Sequence, residues 1–382
     1  MIRVLHYLDT DGFAGTEQHV LTLLRAQREL GLEAALACRE DNLDFVKKAR
    51  QIPGVEVFER PALPLWKAIP AFAAQVAAWK PDILHAHNGR TMLQCAYATG
   101  RGGKPPRSVA TQHFVDPAHT KSTGVKRMAS NLLHGYTNNR LTRIIAISDS
   151  VRDAAIKREP LSAEKIVTVH NGIEAPEADA ERAKRVLAEL GIETPGPILV
   201  TTARLSEEKG HRHLLEAAPE ILRQFPLARF LWLGTGDLAD DIKAQIAAAG
   251  QSANIHLLGY RTDAPDFVAL ADLLVLPSLC EPFGLAVVEA MMLGTPVIAT
   301  RCGGPPEILR PALPAAPLSE ATGSLVPPAD ASALAEAVCV LLADPQARRE
   351  VGQRGQSRAR EQFTAQRMAL EIRQAYEAAL KQ

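Results

Sequence analysis

The sequence predicts an α/β protein of two domains, each a parallel sheet covered by helices on both faces. Three observations carry this. The 382 residues exceed what one hydrophobic core usually supports. Short apolar runs alternate with helical periods along the chain, the pattern of strands buried on both faces. A polar, proline-marked stretch then interrupts the alternation, and a second α/β series follows it. The expected division is an N-terminal domain over 1–172, a linker over 173–196 and a C-terminal domain over 197–363.

Composition narrows the function. With 43 basic and 43 acidic residues the formal charge is zero, which speaks against a nucleic-acid protein. The five cysteines, at 38, 95, 280, 302 and 339, have no Cys-x-x-Cys spacing and no nearby paired histidines. Neither a disulfide framework nor a zinc site is suggested, and a reducing cytoplasm is expected. The chain goes straight into a strand-like run at 2–8, without a signal-peptide core, and no uncharged run is long enough to span a bilayer. Any membrane contact is expected to be peripheral.

In order, the first strand ends in a loop at 9–15, after which Thr16 is expected to cap a helix carrying Val20, Leu24 and Leu30, with Gly31 as its stop. A glycine loop entering a helix start makes an anion cradle, although any strand-to-helix turn favours glycine. A dinucleotide fingerprint is missing. Two strand ends then deliver His85 and His87, and His113, to the carboxyl edge of the sheet, where ligands bind in open α/β folds. His85 has the position of a packed core histidine; His87 and His113 sit where strand becomes loop. From 117 to 148 there are Lys121, Lys126, Arg127, Arg140 and Arg143 and no acid before Ser148. With Met128, Leu132, Leu133 and Tyr136 interleaved, this segment reads either as a solvated helix or as a contact for an anionic membrane or an acidic acceptor.

The second series opens with a strand at 198–203, followed by Arg204 and Lys209 around a turn. Two cations at a strand's carboxyl end suit phosphate: a guanidinium binds it bidentately, an ammonium as a point charge. Gly234-Thr235-Gly236 closes the next strand but lacks the third glycine of a nicotinamide site. The strand at 273–276 leads into Glu281-Pro282-Phe283-Gly284-Leu285-Ala286-Val287-Val288-Glu289. Pro282 suits a first helical turn, Gly284 allows a ligand near the backbone, and a helix is expected from Leu285 to Met292. Its unpaired N–H groups suit an anion, and Glu281 and Glu289 suit hydroxyls beside it, so phosphate next to sugar is the implied ligand. The plainer alternative makes Glu281 a cap and Glu289 a surface charge, an odd surface residue between Val288 and Ala290. Gly303-Gly304 follows the next strand. Residues 309–322 read as a long surface loop, and two helices end the chain, the last placing Met368, Ile372 and Tyr376 on one face.

Taken together, Gly15-Thr16-Glu17, His113, Asn171-Gly172-Ile173, Ala203-Arg204-Leu205 with Lys209-Gly210, Gly234-Thr235-Gly236, the two-glutamate motif and Gly303-Gly304 are specific in order and spacing. Over essentially its whole length the chain resembles the retaining glycosyltransferases of the GT-B group called family 4. The resemblance implies an α/β GT-B fold, two Rossmann-like domains with parallel sheets facing a central cleft, the N-terminal one for the acceptor and the C-terminal one for a nucleotide-sugar. The last helix, 364–382, is implied to cross back to the first domain. Carried over, Arg204 and Lys209 hold the donor diphosphate and Glu289 the ribose hydroxyls. Glu281 and the backbone of Phe283, Gly284 and Leu285 hold sugar and phosphate, His113 reaches the sugar, and Gly15 admits the diphosphate. His87 and Thr16 are acceptor-side candidates. The chain departs from the family in having Ala14-Gly15 where a glycine pair is usual, and in the length of 309–322.

The activity so implied is transfer of a hexosyl unit, with retention, from a nucleotide-diphosphate sugar to a hydroxyl of a glycan, glycolipid or small molecule, as in polysaccharide or lipopolysaccharide biosynthesis. Uridine diphosphate is the base-rate choice. No metal or other cofactor is expected, since Arg204, Lys209 and helix N-termini are implied to stabilise the leaving diphosphate. The expected location is cytoplasmic, with peripheral contact at the inner face of a membrane through the basic segment. The rival readings are a GT-B-fold nucleotide-sugar epimerase and a catalytically silent nucleotide-sugar-binding protein.

Overall fold

The computed structural model describes residues 1–98, 105–114, 133–158 and 161–382. The chain forms two compact units, residues 1–172 with 364–382, and residues 173–363. Each is a Rossmann-like unit built on one parallel sheet.

The first unit has seven strands: β1 (Arg3–Leu8), β2 (Glu33–Arg39), β3 (Glu56–Arg60), β4 (Ile83–Ala86), β5 (Arg107–Gln112), β6 (Arg143–Ala146) and β7 (Ile166–Thr168). Their order in the sheet is β3-β2-β1-β4-β5-β6-β7. Adjacent residues such as Val4 and Leu5 are both fully buried, because helices cover both faces of β1. The strand order reverses between β1 and β4, and the connections leave these strands on opposite faces. In open α/β sheets ligands bind at the carboxyl ends of strands flanking such a reversal. The final helix, Ala365–Leu380, lays Met368, Ile372 and Tyr376 against Val4, Ile83, Val109 and Ile145.

The helix after β1 spans Gly15–Glu29, and its N-cap is Ala14, not Thr16 as expected. Alanine has no side-chain acceptor. Glu17 takes over the capping role by accepting from the Ala14 N–H at 2.8 Å and from the Thr10 hydroxyl at 2.6 Å. Thr16 thus lies inside the first turn.

The second unit has six strands: β8 (Ile198–Thr202), β9 (Arg229–Leu233), β10 (Ile255–Gly259), β11 (Leu273–Leu276), β12 (Val297–Thr300) and β13 (Ser324–Val326), in the order β10-β9-β8-β11-β12-β13. Phe230 and Trp232 anchor its core with Leu214, Val275 and Val338. Here the order reverses between β8 and β11.

Two stretches read from sequence as connecting segments are packed. Residues 173–196, expected to be a linker, carry the helix Ala180–Glu189, capped by Asp179. The fully buried Asp266 accepts from the Asp179 N–H at 2.8 Å and from the Arg182 guanidinium, fastening that helix to the second unit. Residues 309–322 are not a free surface loop. Leu309, Ala312, Ala316 and Ala321 are buried, and Leu313 bridges to Ser324 beside the outer strand β13. Arg354 holds the segment through the carbonyls of Ala321, at 3.0 Å, and Leu318. Small and ring side chains let this stretch lie flat over a sheet edge that would otherwise present unpaired backbone groups. Among the described residues, no helix is long and apolar enough to cross a membrane.

Candidate active site

In the second unit the loops after β8, β11 and β12 meet at the switch between β8 and β11. The loop after β8 makes a short turn at Glu207–Lys209 and ends on Gly210 with φ +66°. A Cβ there would lie 2.1 Å from the Pro277 carbonyl oxygen, so only glycine lets this loop lean on the end of β11. The Glu208 carbonyl accepts from the N–H groups of Leu279, at 2.8 Å, and Cys280, at 3.3 Å. Behind the loop after β11 stands Gly303-Gly304. A Cβ on Gly303 would meet the Glu281 carbonyl oxygen at 2.0 Å, and one on Gly304 the Phe283 oxygen at 2.2 Å. The Gly304 N–H donates to Glu281 O at 2.9 Å.

This clamping sets the side chains. Glu281 is 8% exposed, and a carboxylate so placed needs a partner. It has one in Lys209, whose Nζ lies 2.7 Å from Glu281 Oε2. The Ser278 hydroxyl is 3.5 Å from the same oxygen. Arg204 differs: its side chain is 68% exposed, and Glu208 Oε1 at 2.9 Å is a partner it can leave for a more highly charged anion.

The helix after this loop spans Leu285–Leu293, with Gly284 at φ +109° as its N-cap and no side-chain cap. Its first N–H groups therefore have no acceptor within the helix, and the dipole makes that end positive. Pro282 stands in the turn before the helix, not in its first turn as expected. The Phe283 ring is buried beside the Phe363 ring, with centroids 6.0 Å apart. Glu289, a turn further on, is half-buried, and among the described residues its carboxylate has no hydrogen bond or ion pair. Burial pushes its carboxyl up to about 7. An acid so desolvated gains from any hydroxyl that reaches it.

In the first unit, five histidines gather at the switch between β1 and β4. His6 on β1 pairs in register with His85 on β4; His87 follows β4, His113 follows β5, and His19 comes from the first helix. All are buried, and burial drives every one of these imidazoles well below its usual pKa, so they are neutral. His6 Nδ1 is 3.0 Å from His87 Nε2, and His6 Nε2 is 2.8 Å from Gln27 Oε1. Gln27 donates to the Tyr376 hydroxyl at 3.0 Å. His85 is held by that hydroxyl at 2.5 Å and by Thr111 at 2.7 Å. The His87 ring, expected on the acceptor side, is 1% exposed and packed among His6, His85 and His113. His113 closes the group, its Nε2 3.4 Å from His87 Nδ1. Gly15 and Thr16 open the neighbouring helix, Gly15 exposed and Thr16 half-buried. His6 and His19 escape sequence reading, since one sits inside an apolar strand and the other on the core face of a helix. A signal existed only in retrospect, as polar rings at positions where periodicity demands apolar ones.

The residues of the motifs thus sort onto the carboxyl edges of two Rossmann-like sheets. The model for glycosyltransferase family 4 matches residues 13–175, and that for glycosyl transferases group 1 matches residues 183–358. The chain is a GT-B-fold glycosyltransferase related to these two families. It is 29% identical over 303 residues to an alpha-maltose-1-phosphate synthase of Mycolicibacterium smegmatis, covering 74% of this chain and 75% of that protein. It is also 29% identical over 230 residues to the UDP-Gal:alpha-D-GlcNAc-diphosphoundecaprenol alpha-1,3-galactosyltransferase of Escherichia coli, 59% of each chain. The crystal structure of Anabaena HepE with UDP-glucose superposes with a TM-score of 0.82 at 20% identity, over 99% of this chain and all of that one.

In this GT-B glycosyltransferase the expected membrane-facing segment is only partly described. Lys121, Lys126 and Arg127 lie outside the described residues. Arg140 is exposed, its guanidinium 4.7 Å from the centre of the Tyr136 ring. Arg143 belongs to β6, is half-buried, and donates to the Glu164 carbonyl at 3.3 Å.

Proposed function

We propose that the protein is a retaining, metal-independent glycosyltransferase that moves a hexosyl unit from a nucleotide-diphosphate sugar, with UDP-sugar as the first choice, to a hydroxyl of a glycan, glycolipid or small-molecule acceptor. The observation that carries this is the Lys209–Glu281 pair at 2.7 Å beside an uncapped helix start, with Arg204 exposed next to it. Cations and oriented N–H groups on one side and carboxylates on the other suit a diphosphate bonded to a sugar.

The assigned roles follow. Arg204, Lys209 and the N–H groups around Phe283, Gly284 and Leu285 take the diphosphate, whose charge rises as its bond to the sugar breaks. Glu281, held by Lys209, accepts from sugar hydroxyls, and Glu289 accepts from the ribose. The assignment of His113 to the transferred sugar, of Gly15 to the diphosphate and of Thr16 to the acceptor side rests on the family resemblance alone. In the chemical step the acceptor oxygen bonds to the anomeric carbon on the face from which the phosphate oxygen departs. The acceptor's proton passes to that oxygen, and a nucleoside diphosphate leaves. Retention is the expected result. NMR of the product showing an inverted anomeric centre would overturn the front-face reading, and an altered nucleotide-sugar formed from donor alone would favour an epimerase.

A separate test addresses the ribose. A ribose hydroxyl donates best to ionised Glu289, so donor affinity is expected to rise as pH passes upward through about 7. Glu289→Gln should weaken nucleotide binding roughly 10- to 100-fold, the worth of hydrogen bonds to a charged group, and flatten that pH dependence. The same substitution removes a group whose folded pKa is raised, so the stability that the parent protein loses between about pH 4.3 and 7 should be retained. Isothermal titration of UDP across pH and melting curves of both proteins check this; unchanged affinity would free Glu289 from the ribose.

A further inference from the structure

The histidine group contains two trios whose ring nitrogens approach one another, His6, His85 and His87, and His19, His87 and His113, the atoms of each trio lying within 4.8 Å. They differ in what remains free. In the first trio both nitrogens of His6 and both of His85 already have partners, Gln27 and His87 for one, Tyr376 and Thr111 for the other. The second trio is incomplete. His19 is 4% exposed, yet neither Nδ1 nor Nε2 makes a hydrogen bond among the described residues. The Asn171 side chain is its polar neighbour and opposes the fall of the His19 pKa, although the buried Asn171 Oδ1 has no partner at strict hydrogen-bond geometry. Buried polar atoms are seldom left so without a ligand to complete them.

We infer that His19, His87 and His113 form a three-histidine site for a transition-metal ion of the Zn2+ type, with a fourth position open. Zinc binds imidazole nitrogen at about 2.0–2.1 Å, so two nitrogens on one tetrahedral ion stand about 3.4 Å apart. His87 Nδ1 and His113 Nε2 are 3.4 Å apart. The surrounding bonds supply the outer shell that metal-bound histidines need. With Gln27 Oε1 accepting from His6 Nε2–H, His6 Nδ1 accepts from His87 Nε2–H, which leaves a lone pair on His87 Nδ1 facing His113. Coordination through one His19 nitrogen leaves the other N–H to donate to the neighbouring Asn171 side chain. All three rings are neutral through burial, the form that ligates.

The site has a functional consequence that rests on the proposed reading of His113 as a sugar contact. Coordination through His113 Nε2 would fix that ring and leave only its Nδ1–H for a donor hydroxyl, so occupancy is expected to change turnover.

The test uses tag-free full-length protein. Calorimetric titration with Zn2+ should show one ion per chain, and Co2+ should give the visible bands of tetrahedral coordination. His19→Gln should weaken binding at least 100-fold, and Asn171→Ala roughly 10- to 100-fold. Because His113→Gln alters a packed core and can lose the fold, His19→Gln, whose ring has no partner at strict hydrogen-bond geometry, is the deciding variant. A Zn2+-dependent rise in the melting temperature of the parent protein provides a readout free of any substitution. No stoichiometric binding, or binding unchanged in His19→Gln, overturns the site. Binding with turnover unchanged keeps the site and overturns only its effect on the reaction, so the site and the proposed role of His113 fail separately.

Discussion

Lys209→Ala is expected to lower kcat/KM roughly 100- to 1,000-fold, the loss typical of removing one donor that stabilises developing charge. It should also destabilise the second unit. Lys209 and Glu281 are 17% and 11% exposed in their side chains, and without the ammonium the carboxylate is left in place with no cation. Breaking a pair this enclosed costs about 3 kcal/mol. The double variant with Glu281→Gln removes the orphaned charge, so it should recover most of the stability and none of the turnover. Steady-state kinetics beside urea unfolding separate the two effects. If Lys209→Ala loses stability but keeps normal turnover, the pair is only a structural fastening.

Arg204→Ala is expected to lower kcat about 100-fold with no change in melting temperature. The contrast with Lys209 comes from exposure. The Arg204 side chain is 68% exposed and its partner Glu208 41%, and a surface pair of that kind is worth under about 1 kcal/mol. Its value lies in meeting the diphosphate, where the planar guanidinium binds two oxygens at once. Arg204→Lys should therefore recover only part of the rate, since an ammonium cannot make the bidentate contact. Near-normal turnover in Arg204→Ala would mean that another cation neutralises the leaving group.

Much of the second unit's site was legible because its residues are close in sequence. Glu281 and Gly284 fall within a single strand-to-helix connection and Glu289 in the helix that follows, and strand and helix periods place such a connection at a sheet's carboxyl edge without further information. Small shifts went unread: Pro282 precedes the helix and Ala14, not Thr16, caps the first one. Helix ends depend on which side chain reaches a free N–H, and Glu17 reaching back to Ala14 is a contact that residue propensities alone do not rank. The packing of 309–322 was unread for a different reason. A proline-alanine segment carries little periodicity whether it floats or lies on a strand edge, and only the neighbouring Arg354 and Ser324 decide between them.

By itself the sequence determined the two parallel α/β units, the cations and carboxylates at their strand ends, and the kinship with GT-B glycosyltransferases, since these follow from local period and from motifs read in order. Only the tertiary structure decided which distant groups meet. Lys209 finds Glu281 because β8 lies beside β11, and five histidines from β1, the first helix, β4 and β5 share one buried space because His6 pairs in register with His85. A strand's pattern specifies the face a residue takes, but the neighbour across the sheet is set by strand order and register, which no stretch of sequence contains alone.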